Sequence, residues 1–77
     1  MKILIDRASA DFETKPIKEC KKIKYRNCIF WYIEVNTLKG IFDLVKKEGK
    51  IIIEEPFPDE KELGFEFSIT IYDDYVE

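Results

Sequence analysis

The 77-residue chain has no histidine. Histidine is the usual general base near neutral pH and the commonest metal ligand, so its absence argues against most proton-shuttling and transition-metal chemistry. Two cysteines, Cys20 and Cys28, cannot complete a four-ligand zinc site without it. A nucleophilic cysteine would also lack its normal base. The three glycines form no phosphate-cradling run. The serines are Ser9 and Ser68, and neither lies in a nucleophile elbow. Long apolar stretches are missing too. The run from Cys28 to Ile33 falls far short of the ~20 residues that span a bilayer. Asp6 interrupts the N-terminal apolar run too soon for a signal peptide. The expected setting is a reducing cytoplasm, with both thiols free.

What is present is apolar bulk and uneven charge. Eleven aromatics (six Phe, four Tyr, one Trp) are a heavy payload for one small domain, which the length limits to residues 1–77. The net charge is −3. Residues 1–39 carry nine basic and five acidic side chains, and residues 40–77 carry four and eleven. Two different electrostatic faces result if the fold keeps the halves apart.

The periodicities give the elements. Met1–Ile5 reads as an edge strand, and Asp6–Pro16 as a polar loop or irregular hairpin. Ile17–Tyr25 alternates apolar residues with lysines, as a solvent-facing strand does. Arg26-Asn27 is a turn, because Asn tolerates positive φ. Cys28–Val35 is almost wholly β-branched or aromatic, with Ile29, Trp31, Ile33 and Val35 on one face. Asn36 or Thr37 caps a helix whose apolar stripe is Leu38, Ile41, Phe42 and Val45. Lys46 and Lys47 complement its C-terminal dipole, and Gly49 supplies a left-handed cap. Ile51–Ile53 forms a strand. Glu54–Gly64, with Pro56 and Pro58, reads as an acidic loop. Phe65, Phe67, Ile69 and Ile71 alternate with polar residues and predict a strand with one buried face.

The order β-β-β-α-β-β predicts an α+β two-layer sandwich: one mostly antiparallel sheet of four or five strands with a single helix on one face. Trp31 is expected beneath that helix. One helix leaves the opposite face, with Phe30, Tyr32, Ile52 and Tyr72, to be covered in another way. The N-terminal segment, a second copy of the chain (through this face or a sheet edge) or another partner would each do so.

Two surfaces are candidates for function. The acidic one comprises Phe57, Asp59, Glu60 and Glu62 with Asp73, Asp74 and Tyr75, and suits a basic patch on a protein partner. The alternative is the basic segment, with Lys18, Lys21, Lys22, Lys24 and Arg26, which would hold phosphates of a nucleotide-like ligand or nucleic acid. The overall acidity opposes general nucleic-acid binding. Lysines on an edge strand also guard against aggregation. Scattered carboxylates give a metal-dependent nuclease no recognisable metal loop. No catalytic residue, metal or cofactor is expected.

The stretches Ile33-Glu34-Val35-Asn36-Thr37-Leu38, Val45-Lys46-Lys47-Glu48-Gly49-Lys50-Ile51-Ile52-Ile53 and Ile69-Thr70-Ile71-Tyr72-Asp73-Asp74-Tyr75 resemble a class of very short proteins encoded by bacteriophages and prophages. The resemblance spans about residues 28–77 and carries no catalytic signature. It implies a small intracellular protein from a mobile element, acting in the host cytoplasm. Proteins of this class often act by binding a host factor, and some disarm antiphage defence.

Overall fold

The computed structural model describes residues 1–72, so Asp73, Asp74 and Tyr75 lie outside the described residues. Five strands form one mixed sheet: β1 (Lys2–Arg7), β2 (Lys21–Tyr25), β3 (Cys28–Glu34), β4 (Lys50–Glu54) and β5 (Phe65–Tyr72). Helix α1 (Leu38–Val45) and a one-turn helix α2 (Pro58–Glu62) complete the fold, with a 3-10 turn at Lys46–Glu48. The strand order is β2-β3-β1-β5-β4. β1 runs parallel to β5, and every other neighbouring pair is antiparallel. The architecture is α+β, as the periodicities predict. β3 and β4 therefore point the same way, and the chain between them crosses β1 and β5.

The N-terminal strand corrects one expectation. β1 is central, not an edge. Ile3, Leu4 and Ile5 are all buried, and a strand covered on both faces reads as an unbroken apolar run. It also continues through Asp6 to Arg7, pairing Asp6 with Thr70 and Arg7 with Ile71.

Register assigns the faces. Ile3 lies opposite Ile33 and Phe67, Ile5 opposite Ile69, and Ile71 opposite Ile51. These side chains point the same way and pack with Ile41 and Val45 of α1. Full burial of each such side chain stabilises the fold by about 1.5–3 kcal/mol. The helix starts as its sequence requires: Thr37 accepts a hydrogen bond from the Gly40 amide. It ends at Val45, and Lys46 and Lys47 fall in the following 3-10 turn. Gly49 breaks the helix in a conformation open to glycine alone (φ 146°, ψ −160°), not in the left-handed cap expected. Arg26 and Asn27 both have positive φ, which makes the tight hairpin between β2 and β3.

The segment between β1 and β2 packs on the α1 face, with Ile17 and Cys20 in the core. From it Phe12 also reaches Phe30 of the opposite face, and the two rings line a common hollow. Trp31 is not buried beneath α1. It is half-buried, its indole N–H donates to the Phe12 carbonyl at 2.9 Å, and the Lys22 ammonium lies over its ring. Arg7 ties three parts of this side together. Its Nε donates to the Pro16 carbonyl at 3.0 Å, and its Nη2 pairs with Glu48 at 2.8 Å.

A register shift between Lys2 and Ile3 changes the opposite face. Lys2 pairs with Phe65, but Ile3 pairs with Phe67, so Glu66 is the extra residue of a β-bulge. Phe65 therefore leaves the face of Phe67. Its ring packs 6.0 Å from that of Phe30 and 5.7 Å from that of Tyr32. The Lys2 ammonium sits 5.1 Å from the Phe65 ring and 5.2 Å from the Tyr32 ring, and donates to the Leu63 carbonyl.

Candidate functional site

The acidic segment is not the loop its prolines suggest. Pro58 occupies the first helical position of α2, where its missing N–H costs nothing. Glu60 reaches back to accept a hydrogen bond from the Phe57 amide at 2.9 Å. Pro56 is buried, and Leu63 is held by Lys2. The segment thus folds back over the middle of the aromatic face, where Leu4 and Phe65 are buried.

A cleft opens beside it for a reason set by pairing. β1 and β3 pair only from Lys2/Glu34 to Leu4/Tyr32. Beyond Leu4 the strands part, while β1 stays paired with β5 as far as Arg7. The resulting cleft has a volume of about 170 Å³. Its polar lining comes from Asp6, Glu60 and Ser68, and its aromatic walls are Phe12, Phe30 and Trp31. No lysine or arginine lines it. An apolar hollow of about 290 Å³, lined by Cys28 and Asn27, adjoins it across Phe12, Ile29 and Phe30.

Asp6 and Glu60, from different elements, both line the cleft together with the three rings, and ring faces attract ammonium and guanidinium groups. At about 30 Å³ per water, the cleft's 170 Å³ matches five or six waters, which is room for a side chain. Among the described residues no three carboxylates or thiols converge on a metal-holding position.

The acidic candidates divide. Glu60 lines the cleft. Asp59 and Glu62 are exposed on α2, and Phe57, just ahead of it, is 73% exposed. All four share one short segment. Asp6, Ser68 and the three rings were not legible as site residues. Asp6 reads as the start of the polar loop Asp6–Pro16, and the parting of β1 from β3 leaves no mark in the sequence.

The basic candidates are more scattered. Lys21, Lys22 and Lys24 lie on β2, the sheet edge farthest from β4. Alternation puts Lys21 on one face and Lys22 and Lys24 on the other. Lys21 pairs with Glu34 at 3.3 Å. Arg26 lies over Tyr25 in the hairpin turn, and Lys18 is exposed ahead of β2. None of the five lines either of the two hollows described above.

Both thiols are free; Cys28 is exposed and Cys20 buried. Desolvation raises the Cys20 thiol above its ordinary value, against a backbone hydrogen bond at Ile17. Among the described residues no helix is long and apolar enough to cross a membrane. Comparison with protein-family models, with curated proteins and with solved structures finds no match for this chain.

Proposed function

We propose that this protein is a non-enzymatic binding protein that engages a basic segment of another protein through α2 and the cleft beside it. One observation carries the proposal: Asp6 and Glu60, from elements far apart in sequence, line one ring-walled cleft that no basic side chain lines. A partner's lysine or arginine would enter there. Phe57, Asp59 and Glu62 would make the surrounding contact, and Asp73, Asp74 and Tyr75 would extend it. If the resemblance of residues 28–77 to short phage-encoded proteins holds, the partner is a host protein and the role is to block it. The alternative, phosphate binding by Lys18, Lys21, Lys22, Lys24 and Arg26, finds less support because alternation splits Lys21 from Lys22 and Lys24 and Lys21 is paired with Glu34.

The test uses a fluorescent Lys/Arg-rich peptide and an oligo-dT strand as probes. The peptide should bind, and more weakly as salt rises, since exposed charges are screened beyond about 8 Å at physiological ionic strength. Asp6→Asn with Glu60→Gln should weaken peptide binding about tenfold, equivalent to about 1.4 kcal/mol. Gln at position 60 keeps an acceptor for the Phe57 amide. Replacing Lys21, Lys22 and Lys24 with Gln should change it little. Binding of oligo-dT that the lysine set abolishes, with no effect of the acidic set on the peptide, overturns the proposal.

A further inference from the structure

The two edges of the sheet are guarded very differently. β2 carries Lys21, Lys22 and Lys24 along its five residues, and charged edges resist pairing with another chain. β4, at the other edge, reads Lys-Ile-Ile-Ile-Glu. Its outer side has no strand partner among the described residues. Ile52 is 41% and Ile53 44% exposed. An exposed apolar edge of this kind is a template for strand addition.

We propose that the occupant of this edge is β4 of a second copy, paired antiparallel about a two-fold axis through Ile52. The β4 sequence is complementary to itself in that register. Ile52 meets Ile52 on the axis, and Ile51 meets Ile53. Lys50 lies opposite Glu54 at both ends, so the pair repeats its ion contact twice. Opposite charges across an antiparallel pair stabilise it, and like charges destabilise it. A shift of two residues would set Glu54 against Ile52 and lose both ion contacts. The in-register pair also keeps the two α1 helices on the same side of the joined sheet, because Ile51 and Ile53 both face α1.

Closure follows from the same arrangement. Pairing β4 with β2 of another copy would leave one free edge of each kind and build an open filament. Pairing β4 with β4 uses the apolar edge of both copies. It leaves only the two lysine-bearing β2 edges, so growth stops at the dimer. This proposal is independent of the binding function above.

Analytical ultracentrifugation across micromolar concentrations tests it. The mass should rise from 9.2 kDa to twice that value. Ile52→Lys, which puts two ammonium groups on the axis, should hold the chain monomeric while circular dichroism stays unchanged. Glu54→Lys should raise the dissociation constant at least tenfold, and Lys50→Glu added to it should restore the dimer. Register is read separately by mild oxidation of Ile52→Cys and Ile53→Cys, each in a Cys28→Ser background. Opposed Cα atoms lie about 4.5–5.5 Å apart, within disulfide range. Cys at 52 should cross-link and Cys at 53 should not. A mass of 9.2 kDa at every concentration overturns the proposal. So does a dimer that survives Ile52→Lys, or cross-linking at 53 in preference to 52.

Discussion

Phe65→Leu is the sharpest probe of the bulge at Glu66. Phe65 is 2% exposed, and its ring packs on Phe30 and Tyr32 with the Lys2 ammonium alongside. Truncation of such a residue to Ala costs about 3–5 kcal/mol. At roughly 0.05–0.15 kcal/mol per residue, a chain of 77 residues has only about 4–12 kcal/mol to lose. Leu keeps most of the apolar volume and removes the two ring pairs, each worth about 0.5–1.5 kcal/mol. The expected loss is therefore about 1–3 kcal/mol. Urea denaturation followed by the fluorescence of Trp31, the single tryptophan, measures it. A double-mutant cycle makes the test specific. Phe65→Leu with Tyr32→Leu should show coupling of about 0.5–1.5 kcal/mol. Phe65→Leu with Ile33→Val, on the α1 face, should be additive within about 0.5 kcal/mol. Coupling to Ile33 and not to Tyr32 would mean that Phe65 follows the simple alternation, and the bulge would be refuted.

Arg7 and the thiols give further expectations. Arg7→Lys should lose about 1–2 kcal/mol by denaturation, because an ammonium cannot reproduce the fork that joins Pro16 and Glu48; the pair is partly shielded, with side chains 14% and 33% exposed. A change within about 0.5 kcal/mol, typical of an exposed pair, would show that the fork adds nothing. A thiol reagent should label Cys28 in the native protein and Cys20 only on unfolding, and equal labelling rates would contradict the burial of Cys20. Cys20 should also give a pH signature. Its folded pKa lies above the ordinary 9.0, so the unfolded chain releases the proton first. The stabilisation is complete below that value and is lost as pH rises through the folded pKa. Stability should therefore fall more steeply between pH 8 and pH 10 (about the ordinary thiol range) in the parent than in Cys20→Ala.

Elements with a strong period were legible in the sequence. Leu38, Ile41, Phe42 and Val45 mark the stripe of α1, and Thr37 supplies the cap that begins it. Cys28–Glu34 and Phe65–Tyr72 are strands because β-branched and aromatic residues fill them. The failures share a cause, which is that tertiary pairing decides them. Nothing local shows that Ile3-Leu4-Ile5 lies between two strands. Nothing local shows that Glu66 bulges out and reverses Phe65. Helix α2 did leave a trace, since Pro58 and Glu60 stand at first-turn positions. Phe57 at the cap hid it, because a capping box normally opens with Ser or Thr. The cleft was legible only through Glu60. Its other carboxylate and its rings come from β1, β3 and the segment before β2, which only the sheet order brings together.

The place of β1 in that order bears on how the chain reaches its fold. β1 lies at the middle of the sheet, yet one of its two neighbours is β5, and Lys2 must find Phe65. During synthesis the most buried strand emerges ahead of everything it packs against. β3 can join it early, and the hairpin of β2 and β3 closes locally. The other side of β1 stays bare until β5 has been made. A parallel pair joined across so much chain costs loop-closure entropy before any contact returns it, and such topologies fold slowly. The nascent chain therefore carries Ile3 and Ile5 unprotected for most of its passage from the ribosome. Ribosome-bound chains that end before Phe65 would be the aggregation-prone species, and a chaperone would have its best chance of contact there.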